Sequence, residues 1–148
     1  MNRRDLIAAG VLLAATSGTA LAHGEHDHGG HDHGGHGSAA VAPLFDAATA
    51  CVKTGQVCLN HCLAAFAAND VSLAACARLT DQMLSICGTL AKLASTSSPY
   101  LPAMAKVALA ACQDCEAECK KHANKHESCK ACAEACAACA AECKKITA

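Results

Sequence analysis

From Ala42 to the end of the chain, apolar and small residues return every three or four positions, with polar breaks at 68–70 ("AND"), 95–99 ("STSSP") and 122–128 ("HANKHES"). A repeat near 3.5 residues is that of helices holding one face toward partner helices, so the pattern predicts four helices. The first runs from about Leu44 to Ala67 and turns Ala48, Cys51, Gly55, Cys58, Cys62 and Phe66 inward. The second starts behind Asn69 or Asp70 as N-cap and turns Leu73, Cys76, Thr80, Met83, Cys87 and Leu90 inward. The third follows Pro99 or Pro102, residues suited to a first turn, with Met104, Ala108, Cys112, Cys115, Cys119 and His122 inward. The fourth opens with Asn124 and, three positions on, Glu127, the spacing of a capping box, and ends in Ile146. Short connections make successive helices antiparallel. The expected fold is all-α: an up-down antiparallel four-helix bundle over residues 43–148.

What fills the seam is unusual. Leu or Ile is expected there, yet Cys recurs in the middle of every helix. The stretch "CKACAEACAACAAEC" (129–143) carries five cysteines spaced three, four, three and four apart, which at 100° per residue lie within an arc of about 80°. Lys53, Gln56, Arg78, Asp81, Glu118, Lys121, Lys130, Glu134 and Glu142 fall outward, as a solvated face requires.

Composition narrows the classes. The chain has 148 residues, 13 Cys, 9 His, one Tyr, two Phe and no Trp, which suits one domain with little aromatic mass for a core. A formal charge of −1 without a basic stripe argues against a nucleic-acid partner. No activated Ser, inward carboxylate pair or cofactor loop supports an enzyme.

The start, "MNRRDLIAAGVLLAATSGTALA", combines Arg3 and Arg4, an apolar stretch from Leu6 to Ala15 and the ending Ala20-Leu21-Ala22. The stretch is too short to span a bilayer, and the small-residue ending suits a signal peptidase. Residues 1–22 are therefore expected to be a cleaved export signal of the twin-arginine type, with an ordinary secretory signal as the alternative. This places the mature chain in the periplasm or another extracytoplasmic compartment, without membrane attachment after cleavage. Residues 23–42 open with "HGEHDHGGHDHGGHG", which has too little apolar content to fold and is expected to be disordered. Its six imidazoles either bind Cu(II), Zn or Ni loosely or serve as a solvated spacer.

Four uses of the thiols are open. As packing alone, Cys gives a core of small side chains with low transfer energy. As a disulfide scaffold, thirteen is odd, and partners three or four apart on one helix strain the bridge. An iron–sulfur site is raised by Cys132, Cys136 and Cys139, but those motifs wrap a cluster with a loop, and here the run is Ala-rich helix. Metal storage uses every feature. Cys58/Cys62, Cys115/Cys119, Cys132/Cys136 and Cys139/Cys143 are Cys-x-x-x-Cys pairs whose Cβ atoms stand about 5–6 Å apart on a helix. Cu(I) is soft and prefers thiolate, and one Cu(I) per thiolate is neutral, whereas Zn with four thiolates leaves a net charge in a dry core.

The twin-arginine-like leader, the Cys faces at bundle period, "CLNHC" (58–62), "ICGTLAKLA" (86–94), "CEAEC" (115–119) and the run at 129–143 resemble the bacterial copper storage proteins, specifically their exported members. The resemblance covers essentially residues 43–148. It implies a bundle storing many Cu(I) ions, a homotetramer, and copper supply to cuproenzymes such as a methane monooxygenase. Exported members add Met ligands one or two turns after the His matching His61; Ala65 and Ala68 stand there instead.

The expected metal ligands are Cys51, Cys58, Cys62, Cys76, Cys87, Cys112, Cys115, Cys119, Cys129, Cys132, Cys136, Cys139 and Cys143. Antiparallel packing gathers His61, His122 and His126 with Cys62, Cys76, Cys119 and Cys129 at one pole, where the imidazoles are expected to receive entering copper. Leu44, Phe45, Leu90, Leu93, Leu101, Met104 and Ile146 would plug the other. Met83 and Met104 are weaker candidates for metal. The rival functions are a periplasmic metallochaperone carrying one or a few ions to a partner and detoxification by sequestration, which is chemically identical to storage and also limits copper toxicity.

Overall fold

A computed structural model describes residues 38–148 of the chain; the leader at 1–22 and the low-complexity segment as far as residue 37 lie outside the described residues. Four helices follow one another: α1 (Ser38–Ala67), α2 (Ala74–Ser95), α3 (Leu101–His122) and α4 (Glu127–Thr147). Each packs on two neighbours, in the ring α1, α2, α3, α4 and back to α1. This is the expected antiparallel bundle, and no helix among the described residues is long and apolar enough to cross a membrane.

The inward faces are those of the periodicity. Ala48, Cys51, Cys58 and Cys62 on α1, Cys76, Thr80, Met83, Cys87 and Leu90 on α2, and Ala108, Cys112, Cys115 and Cys119 on α3 are fully enclosed. Gly55 is buried because α2 lies against it: a Cβ there would stand 2.6 Å from Met83 Cε and 3.0 Å from Leu84 Cδ2. Few large side chains are fully enclosed, chiefly Leu44, Leu73, Met83 and Leu90. The rest of the interior is mostly sulfur and alanine methyl, which gains less from leaving water than a leucine core.

Helix boundaries depart from expectation in four places. α1 begins at Ser38 and contains Pro43 in its second turn, so this proline does not stop the helix; its missing N–H forgoes one bond, to the carbonyl four residues back in the first turn. Asn69 is not the N-cap of α2 but the left-handed residue closing α1, with φ 61°. Its N–H donates to Phe66 O at 2.9 Å and that of Asp70 to Ala65 O at 3.0 Å, a Schellman closure. Asp70 Oδ1 accepts from the Ser72 N–H at 2.9 Å, which holds a turn ahead of α2, whose N-cap is Leu73. The Asn124–Glu127 capping box does not form, because the N–H groups of Lys125 and His126 both donate to His122 O and the N-cap of α4 is His126. Pro102 does occupy the first turn of α3.

Candidate metal-binding core

All thirteen cysteines are unbridged and buried, on faces that four separate helices turn to one axis. The sulfurs approach across helices: Cys76 and Cys119 at 3.5 Å, Cys58 and Cys76 at 3.8 Å, Cys58 and Cys129 at 3.8 Å, Cys87 and Cys112 at 3.5 Å, Cys115 and Cys132 at 3.9 Å. Along α3, Cys115 and Cys119 stand 3.9 Å apart, as the four-residue spacing requires. Cys76 and Cys129 meet at 3.9 Å across the diagonal of the bundle. Only a side chain as short as Cys leaves room for four helices to bring donors this close to the axis.

Four sets of sulfurs lie within 4.8 Å of one another: Cys51/Cys87/Cys112/Cys139, Cys58/Cys76/Cys129, Cys58/Cys119/Cys132 and Cys115/Cys132/Cys136. The first takes one cysteine from each helix. It occupies the half toward Leu44 and Leu90, where Cys143 adjoins Cys139. The other three occupy the half toward the histidines, where Cys62 adjoins Cys76 and Cys58. Each set can hold a metal ion, so the clusters together are capable of binding several copper ions.

The thiols share protons unevenly. Cys62 is pushed up to about 12, by burial first and then by Cys76 and Cys58, and burial is also the main cause that raises Cys129. Cys112 and Cys139 are held down at about 5, Cys112 through hydrogen bonding with Cys136 first and Cys139 through that with Cys112 first. Cys58 and Cys115 are likewise lowered, with Cys119 the first cause for both. Cys119 is raised, with Cys115 the first cause. A thiol that keeps its proton can donate it toward a neighbouring thiolate and stabilise the anion.

The three histidines meet as the sequence suggests. His61 Nε2 and His126 Nδ1 share a hydrogen bond of 2.8 Å, and the rings of His122 and His126 are 6.5 Å apart. Glu118, expected on the outer face, is only 12% exposed and reaches His122 at 3.4 Å. Its carboxyl is held below the usual range by Lys121 first. Two further polar groups, which no cysteine or histidine spacing marks, adjoin the expected ligands. Asp70 lies in the turn between α1 and α2, its carboxyl held below the usual range first by the Ser72 N–H it accepts from, with His126 a lesser neighbour; a turn residue gives no periodic signal of such a neighbour. Thr80 is fully buried on the inward face of α2. Its hydroxyl lies 3.7 Å from Cys115 Sγ and 3.9 Å from Cys76 Sγ.

The opposite pole needs one correction. Leu44, Leu90 and Leu101 are buried, but Phe45 is 38% exposed and Met104, Leu93 and Ile146 are only partly buried against the core. Leu44 takes the inward position of its turn, and the next residue is rotated 100° away from it. Met83 is fully enclosed.

The profile of the copper storage protein family matches residues 38–148. No curated protein matches the chain. Among solved structures, apo copper storage protein 3 from Bacillus subtilis is 31% identical, with a TM-score of 0.64 over 72% of this chain and 98% of that one. A Cu(I)-bound copper storage protein, BsCsp3, is 29% identical, with a TM-score of 0.65 over 74% and 99%. A cytosolic copper storage protein from Streptomyces lividans, in a structure with five coppers, is 27% identical, with a TM-score of 0.68 over 74% and 93%. This last likeness corrects the expected export to the periplasm: the bundle is shared with a cytosolic protein, and the leader that carried the expectation lies outside the described residues. The family profile spans every described residue, and two of these relatives, BsCsp3 and the Streptomyces lividans protein, hold copper in the fold seen here. The chain belongs to the copper storage protein family.

Proposed function

We propose that this protein stores many Cu(I) ions in its core, with all thirteen cysteines as ligands, and releases them to copper enzymes. The observation that carries this reading is the set of buried sulfurs, in groups no wider than 4.8 Å, in both halves of the bundle. A carrier of one ion needs a single accessible site; here no thiol is exposed, and most would be idle. Storage of this kind is non-catalytic, and a homotetramer is the assembly we expect by family resemblance.

Copper enters at the histidine pole. His61, His122 and His126 are the partly exposed donors there, directly beyond Cys62 and Cys129, while the leucines close the other end. Met83 and Met104 are secondary candidates, and the burial of Met83 favours it over Met104. Each ion that binds displaces thiol protons into solvent, since the thiolate is the ligand.

The test is an anaerobic Cu(I) titration of reduced protein against a chromogenic Cu(I) chelator, with metal and thiol counted on one sample. About one Cu(I) per thiol, retained against the chelator, is the expected result. Saturation at one or two ions would make the protein a metallochaperone.

A further inference from the structure

The thiol core has a waist. Gly55 on α1 and Thr80 and Met83 on α2 are buried inward positions that carry no thiol, and Met83 packs its terminal methyl into the space that Gly55 leaves open. On this side the row of cysteines is interrupted between Cys51 and Cys58 on α1 and between Cys76 and Cys87 on α2. Thiols continue only on the α3 and α4 side. None of the close sets among the described residues draws members from both Cys51/Cys87/Cys112/Cys139 and the group of Cys58, Cys76, Cys119 and Cys129. Cys136 stands between them. Its sulfur is within 4.8 Å of Cys115 and Cys132 on the histidine side, and Cys112 and Cys51 are its neighbours on the leucine side.

We propose that Cys136 is the transfer point through which copper passes from the histidine half of the core to the leucine half. This rests on the storage reading and on entry at the histidine pole. Cu(I) held by Cys115 and Cys132 forms a bond to Cys136 sulfur before its bond to one of them breaks. The proton leaving the Cys136 thiol is taken up by the departing sulfur, and copper stays Cu(I) throughout. The same exchange then hands the ion to Cys112. Without a thiolate at the waist only the neutral Met83 thioether would remain there, and the advantage of adjacent anionic donors would be lost.

The experiment is anaerobic stopped-flow loading of the reduced protein with Cu(I), followed by thiolate-to-copper charge-transfer absorption, with bound copper counted at intervals. Wild type, Cys136→Ser and Cys143→Ser are compared, and helicity is checked for each. In Cys136→Ser the two histidine-side sets that do not contain it, Cys58/Cys76/Cys129 and Cys58/Cys119/Cys132, should fill at the wild-type rate, and filling of the leucine half should slow about 100-fold although its own five thiols are intact. Cys143→Ser, which removes a sulfur beyond the waist, should lower capacity without slowing the rest. Complete loading of Cys136→Ser at the wild-type rate would overturn the proposal, as would an equal stall in Cys143→Ser. A wild type that takes up only one or two ions would instead refute storage itself, and the two failures are distinct.

Discussion

His61 and His126 are 65 positions apart in sequence and joined by a 2.8 Å hydrogen bond between Nε2 and Nδ1. The bond ties the end of α1 to the N-cap of α4, with the rings tilted at 53°. Each ring commits one nitrogen to the other, so the pair is a preformed set of imidazole donors above Cys62 and Cys129.

From this arrangement, the double variant His61→Ala/His122→Ala should take up Cu(I) about tenfold more slowly and reach the same final stoichiometry, because the thiols are untouched. Stopped-flow loading and endpoint metal counting check the two halves of this statement. An unchanged rate would remove the histidines from the entry route.

Two glycines of the bundle should respond oppositely to alanine. At Gly55 the new methyl meets Met83 Cε at 2.6 Å, and because that atom ends a flexible side chain, Gly55→Ala should cost only about 1 kcal/mol. Gly88 has nothing within 4 Å of its would-be Cβ and sits inside α2, so Gly88→Ala should stabilise by about 0.5–1 kcal/mol. Urea denaturation of the apo proteins measures both.

The apo protein should lose stability in alkali. The Cys62 thiol moves from 9.0 to about 12 on folding, so between those values the unfolded chain has released a proton that the folded chain retains. Stability from this group is therefore complete below about pH 9 and declines as pH rises toward 12. Denaturation midpoints of wild type and Cys62→Ser from pH 8 to 11 test it, and the wild type should fall more steeply.

Copper should act in the opposite sense. Binding to the folded core alone stabilises it, and one site at a hundredfold excess over Kd contributes about 2.7 kcal/mol, or roughly 10 °C in melting temperature for a domain of this size. Because each ion displaces thiol protons, most directly at Cys62 and Cys129, affinity should fall as pH is lowered. Calorimetry of apo and loaded protein, and chelator competition from pH 5 to 8, check the pair; equal melting temperatures would contradict the first statement.

Much of this molecule is written in its period. A repeat near 3.5 residues with Cys at its inward positions determined the four helices, their burial faces and the common pole of His61, His122 and His126, because side-chain direction on a helix follows from residue number alone. Local signals did less well at the ends. Asn69 closes α1 instead of opening α2, and Asn124 caps nothing, because residues that favour caps also favour turns. Only the tertiary structure decided which sulfurs meet. That Cys76 faces Cys119 and Cys129, that Met83 fills the space above Gly55, and that Cys136 alone stands between two groups of thiols depend on the relative height of four helices. Helix height is set by packing between elements distant in sequence, and no periodicity within one helix encodes it.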